Sequence, residues 1–188
     1  MLTILSQSTT DANRDRAWSA LRGRFPAWED LRAAPRDDLE DVIRVAGLAG
    51  QKAAAIHDVL ERLAAERGSL DLTHLDSMPD GEAMDYLTRF RGVGVKTAAC
   101  VLCFSLRRPV LPVDTHVLRI GRRLGWLPPG GSSTAAHEAV ALRVPAADRF
   151  EMHLRLIALG RAVCTARSPR CGECPLGDAC PRVGVEPG

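Results

Sequence analysis

The sequence predicts an all-α protein, and three observations carry that expectation. Ala, Leu, Arg and Glu dominate the composition while aromatic residues make up only 4%, which favours helices. Runs of β-branched residues are short. Apolar residues recur at three- and four-residue spacing along most of the chain, as one face of a helix requires. With 188 residues, 46% hydrophobic and 26% charged, the chain can bury a real core in one large or two small domains.

Taken in order, Met1 to Gln7 reads as the tail end of a helix. Ser8-Thr9-Thr10-Asp11 supplies capping side chains for a helix whose apolar face runs through Ala17, Trp18, Leu21 and Phe25. Pro26 and Pro35 punctuate short helical segments, after which Leu39, Val42, Ile43 and Ala46 recur at helical spacing. Gly47-Leu48-Ala49-Gly50 breaks that pattern. Gln51 to Arg67 is a long amphipathic helix, ended by Gly68. Ser69 to Asp80 reads as a loop and Glu82 to Phe90 as a helix leading into a glycine turn. Val113 to Trp126 forms a helix stopped by Pro128-Pro129-Gly130-Gly131. Ser132 or Ser133 caps the next, and Ala146 to Val163 makes the last. About ten helices and no strand or repeat are expected.

The stretch from Phe90 to Thr115 organises the rest. Gly92 and Gly94 flank Val93 in a turn tight enough to aim backbone N–H groups outward. An apolar run from Ala98 to Phe104 follows directly, so those groups sit at a helix N-terminus, an anion site suited to a phosphate. Lys96 stands in the first turn of that helix. Asp114 lies one helix and one loop later, where it can act as an N-cap. The arrangement suggests an amine and a carboxylate beside a bound phosphodiester. Net charge is only +2, but its distribution is uneven. Arg89 to Arg123 holds eight basic residues against one acid, Asp114, whereas Glu29 to Asp41 holds six acids and two arginines. A basic stretch around a phosphate-type turn fits a nucleic acid partner.

Cys164, Cys171, Cys174 and Cys180 form a Cys-x6-Cys-x2-Cys-x5-Cys pattern. Four thiolates this close call for zinc or iron–sulfur. Structural zinc usually shows two Cys-x2-Cys knuckles separated by a longer loop. A single such pair in a compact sequential wrap is closer to a four-cysteine cluster loop. Cys100 and Cys103 read as small buried hydrophobes. No segment has the roughly 18 apolar residues of a membrane span, and Met1-Leu2-Thr3-Ile4-Leu5 lacks the flank of a signal peptide. A cytoplasmic protein without a disulfide set is expected.

Gly-Val-Gly-x-Lys-Thr-Ala (Gly92 to Ala98), followed by Val-Asp-Thr-His (Val113 to His116), resembles the helix-hairpin-helix DNA glycosylases of the endonuclease III family. The cysteine spacing is similar to that family's [4Fe–4S] loop. The resemblance covers nearly the whole chain. It implies a six-helix barrel with the helix-hairpin-helix over residues 1–108, and a helical domain with the cluster loop over 109–188. The family's further N-terminal helix is expected to be absent, and the segment from Gly68 to Glu82 is longer than usual.

That likeness also implies a bifunctional DNA glycosylase and abasic-site lyase of base excision repair, a nucleoid-associated monomer removing oxidised pyrimidines from duplex DNA. Lys96 would be the Schiff-base nucleophile, and Asp114 would stabilise charge and relay protons. Arg91, Gly92, Val93 and Gly94 would hold the DNA backbone, with a monovalent cation at the hairpin. Arg167 and Arg170 would reach the backbone from the cluster loop, and His116 the substrate. A flipped nucleotide leaves a hole, which Leu48 would fill together with Gln7 or Ser8. Two other readings stand beside this one: an iron–sulfur DNA-binding module with little catalysis, and a glycosylase for pyrimidine dimers or mismatched bases.

Overall fold

The computed structural model describes residues 1–127, 130 and 132–185. Pro128, Pro129 and Gly131, expected to stop a helix, lie outside the described residues. Among the described residues the structure is helical throughout, with ten α-helices and no strand. The chain divides into two compact units, Met1–Ala98 and Ala99–Gly188, a division that falls N-terminal to the one drawn at Arg108 from sequence.

The first unit opens with α1 (Leu2–Leu5) and α2 (Asp11–Arg24). Thr10 caps α2 by accepting the Asn13 N–H at 3.2 Å, and Ala17, Leu21 and Phe25 bury its inner face. The two prolines act as expected: Pro26 lies between α2 and α3 (Trp28–Ala33), and Pro35 is the N-cap residue of α4 (Arg36–Ile43). A 3₁₀ turn, Arg44–Ala46, leads to α5 (Ala49–Arg67), which begins inside the stretch expected to be a break. Gly68 ends α5 with φ +68, a left-handed cap that glycine adopts without steric cost. The expected loop before α6 contains a 3₁₀ turn, Thr73–Ser77, anchored by fully buried Leu75. α6 spans Asp80–Thr88, and the core between these helices is built from Leu5, Leu21, Leu39, Ile43, Ile56 and Leu60.

α7 (Val95–Cys100) follows the glycine turn and continues as a π turn, Val101–Ser105, in which Leu106 N–H reaches back to Val101 O at 3.2 Å. The second unit then adds α8 (Thr115–Arg123), α9 (Ser133–Ala141), α10 (Arg149–Ala162) and short 3₁₀ turns at Cys171–Glu173 and Gly177–Ala179. Ser132, one of the two expected caps, accepts Ala135 N–H at 3.2 Å. Leu111, Val113, Val117, Ile120, Val140 and Leu156 form this unit's core. Cys100 and Cys103 are buried, as expected of small hydrophobes, and burial pushes the Cys103 thiol up to about 11.

Candidate functional site

The glycine turn in the first unit is closed by Val93 N–H donating to Phe90 O at 3.1 Å, with both side chains buried. Gly92 sits at φ +73, and a Cβ there would lie 3.2 Å from Ala55 Cβ of α5. Gly94 behaves differently from the sequence expectation. Its φ is not left-handed, and a Cβ there would meet nothing within 4 Å. Gly94 therefore leaves open space beside the start of α7, whose first-turn N–H groups have no partner within the helix. Lys96, half-buried, is the second residue of that helix.

Two residues distant in sequence fix this turn in place: Asp58, which the sequence did not single out, and Gln7, which was expected to fill the flipped-base gap. Asp58 of α5 accepts Arg91 N–H at 2.9 Å through Oδ2 and Arg62 Nε at 3.1 Å through Oδ1. Gln7 donates from Nε2 to Gly92 O at 2.9 Å and to Thr97 Oγ1 at 3.1 Å. The carbonyls of Gly92 and Gly94 accept Gln7 Nε2 and Ala98 N–H, respectively.

Of the two candidate plug residues, Gln7 is thus tied to the turn, while Ser8 is exposed at φ +48. Leu48, half exposed at 51%, has φ +50. Left-handed backbone at two non-glycine residues marks loops held in shape by their surroundings. The holder is Lys52, 2% exposed, whose Nζ donates to Leu5 O at 2.9 Å and Ala46 O at 2.8 Å. Leu5 precedes the Ser8 loop and Ala46 precedes Leu48, so one buried ammonium clamps both. Ser8, Thr10 and Asn13 line a common groove with Arg44 and Gly47.

In the second unit Asp114 caps α8 as its sequence position suggested. Its Oδ1 alone accepts His116 N–H at 2.9 Å and Val117 N–H at 2.8 Å, and Oδ2 takes no part in the cap. His116 is turned towards helix packing: its Nδ1 lies 3.0 Å from Arg119 Nη2. A Cβ at Gly160 of α10 would fall 2.6 Å from that nitrogen, so α10 approaches α8 closely only because residue 160 is glycine.

The arginines of the basic stretch are not all free for a polyanion. Arg119 donates to Cys164 O and to Gly160 O, each at 2.8 Å. Arg123 donates from Nη1 to Cys164 Sγ at 3.0 Å and to Thr165 O at 2.8 Å, and from Nη2 to Ala166 O at 3.1 Å. These two staple α8 to the segment after α10. Arg170, expected at the backbone, bonds Ala162 O and pairs with Glu173 at 3.4 Å. Arg167 is exposed, as is Arg91.

All four expected cysteine ligands line one pocket, walled by Ile120, Leu159, Val163 and Leu176. Among the described residues no three metal-binding side chains converge on a single ion. Four thiols around one apolar pocket are the donor set that a [4Fe–4S] cluster requires, one sulfur to each iron. The Arg123 contact places a positive charge on one of those sulfurs.

Comparison with known proteins agrees with this geometry. Residues 1–144 match the HhH-GPD superfamily of base excision DNA repair proteins, and residues 164–180, Cys164 to Cys180, match the iron–sulfur binding domain of endonuclease III. An Arabidopsis thaliana protein provisionally named a DNA glycosylase is 36% identical over 97% of this chain, which spans 59% of that protein. Endonuclease III of Sulfolobus acidocaldarius is 35% identical over 96% of this chain and 79% of its own. The solved structure of a trapped endonuclease III–DNA covalent intermediate superposes with a TM-score of 0.80 at 31% identity, covering 95% of this chain and 80% of that one. An all-α chain with this turn, this cysteine loop and these matches over nearly its whole length belongs to the endonuclease III family of the HhH-GPD superfamily.

Proposed function

We propose that this chain is a bifunctional DNA glycosylase and abasic-site lyase of base excision repair, acting as a monomer at the nucleoid on oxidised pyrimidines in duplex DNA. The observation that carries the reading is the local setting of two residues. Lys96 is half-buried at the start of the helix that follows the open Gly94 turn. Asp114 is held by Oδ1 alone, which keeps its second oxygen for chemistry. The covalent DNA intermediate of endonuclease III supports the same chemistry here.

In this mechanism the turn amides and Arg91 hold the phosphates of a strand whose damaged nucleotide is flipped out. Leu48 and Ser8 occupy the gap. Lys96 Nζ, as the neutral amine, bonds to C1′, and the base leaves with the electrons of the glycosidic bond and a proton. Asp114 stabilises the positive charge developing on the sugar and relays the amine's protons. The C1′–O4′ bond then breaks as O4′ takes a proton relayed from the amine by Asp114, and the ring-opened imine acidifies the 2′ proton. Its loss drives electrons into a new C2′–C3′ double bond as the C3′–O bond breaks and the 3′ phosphate departs. Water then hydrolyses the imine and frees Lys96. Cys164, Cys171, Cys174 and Cys180 hold a [4Fe–4S] cluster that shapes the loop carrying Arg167 and stands outside these steps.

Borohydride trapping on an abasic-site duplex tests the reading. Wild type should become covalently linked, and Lys96→Gln should not, although it should still bind an uncleavable abasic analogue. A trapped complex with Lys96→Gln would make another amine the nucleophile. No trapped wild type on any abasic duplex would leave a DNA-binding module. Duplexes bearing an oxidised pyrimidine, a pyrimidine dimer or a mismatch then decide the base.

A further inference from the structure

The peptide group between Pro112 and Val113, immediately before Asp114, is gripped at both of its polar atoms by histidines from two helices. His153 of α10, 2% exposed, lies 2.8 Å from Pro112 O through Nδ1. A carbonyl only accepts, so that nitrogen carries a proton. His137 of α9 accepts Val113 N–H at 2.9 Å through Nε2, and its Nδ1 lies 2.8 Å from Ser133 O. The Ser133 carbonyl requires a proton on Nδ1, and the Val113 N–H requires a lone pair on Nε2. Both conditions hold only for one neutral tautomer of His137. Arg149 of α10 adds a brace, donating to Pro109 O at 2.8 Å and to Ala141 O, the end of α9, at 2.7 Å. The segment from Pro109 to Val113 is thus strapped to α9 and α10 by side chains.

Resting on the reading of Asp114 as the catalytic carboxylate, we propose that His137 is a positioning residue for it, holding the Pro112–Val113 peptide only while its ring is neutral, so that acid releases the strap. A protonated ring would turn an Nε2–H donor against the Val113 N–H donor, and one of them must move. Burial lowers the His137 pKa below its ordinary 6.5, opposed only by the bond to Ser133 O. The surroundings match. On its own helix His137 meets the Ser133 carbonyl, and from the strap it meets backbone. The ionisable groups that α10 brings to the strap, His153 and Arg149, are bound to the carbonyls of Pro112 and Pro109. The neutral ring is therefore favoured above pH 6.5, and the grip is lost as pH falls from there through the lowered value.

Two substitutions and two readouts test this. His137→Gln supplies a carbonyl oxygen that accepts an N–H and does not titrate. His137→Leu supplies no acceptor. Amide exchange at Val113, corrected for the intrinsic rate, should show protection in wild type at about pH 8 that is lost towards about pH 5. His137→Gln should stay protected at both, and His137→Leu at neither. Single-turnover base excision should follow: a steep acid limb in wild type, a flatter one in His137→Gln, and in His137→Leu a loss of up to about 10²-fold at about pH 8 that narrows towards about pH 5, where wild type has also released the strap. Affinity for an uncleavable abasic duplex should not change, which separates positioning from binding. Should His137→Leu fail to fold, wild type against His137→Gln decides alone. Superimposable acid limbs for those two, or Val113 protection in wild type that survives acid, would overturn the proposal. A protein that excises no base at any pH fails at the function reading, and Val113 exchange still reports whether the strap is real.

Discussion

The cap that Asp114 makes and the catalytic role proposed for it can be separated by two substitutions, because the cap uses one oxygen. Oδ1 alone accepts His116 and Val117 N–H, at 2.9 and 2.8 Å. Asp114→Asn keeps that oxygen and removes the charge, whereas Asp114→Ala removes both. Asn caps nearly as well as Asp, while Ala costs about 1 kcal/mol. For a chain of this size that is a fall in Tm of about 2–4 °C. Base excision should fall by about 10²–10⁴-fold in both variants, equivalent to about 3–5 kcal/mol of barrier, if charge stabilisation and proton relay act together. Nicking of a preformed abasic site should suffer less, since the aldehyde there already accepts an amine. The assay is single-turnover excision and nicking on matched duplexes, with melting followed by circular dichroism. Asp114→Asn excising within a few-fold of wild type would refute the need for the carboxylate charge. A Tm as low as that of Asp114→Ala would refute the cap as described.

Four further outcomes are expected. Lys52→Met leaves the Leu5 and Ala46 carbonyls without their donor; it should cost about 2 kcal/mol in urea unfolding, with excision falling further than non-specific DNA binding. Gly160→Ala drives a methyl against His116 and should destabilise the second unit by about 1–3 kcal/mol. Leu48→Ala should spare non-specific binding yet lower excision, and Ser8→Gln should raise it if serine fills the gap poorly; a harmful Ser8→Gln would show the loop to be misassigned. Purified protein should be yellow-brown with about four irons per chain, and Cys171→Ser should bleach it; a colourless protein with stoichiometric zinc after anaerobic purification would contradict the cluster.

Much of the site was legible in the sequence because its signals are local. Thr10, Asp114 and Ser132 each cap the helix that begins at the next residue, so their partners lie two or three positions away in the chain. Helical spacing located most of the core, since a buried face recurs with the helix turn. The cysteine loop wraps within 17 residues, from 164 to 180, which makes its spacing readable without a fold. Family resemblance supplied the roles proposed for Lys96 and Asp114, which neither periodicity nor spacing contains.

Other features existed only once the chain had folded. Gln7 looked like a plug residue, yet its amide bonds Gly92 and Thr97, 85 and 90 residues along. Lys52 looked like one more polar position on an amphipathic helix, and proved to be a buried clamp between two carbonyls. Arg119, Arg123 and Arg170 counted as free positive charge until the structure gave their guanidinium groups carbonyl partners. His137 and His153 carried no signal at all, because the atoms they hold are the C=O and N–H of a single peptide bond distant in sequence. The helices, their caps and the metal-type loop were readable without a fold, because each depends on near neighbours in the chain. Which polar side chains were left for chemistry was decided by tertiary structure, because a backbone carbonyl has no sequence signature and meets its donor only when distant segments pack.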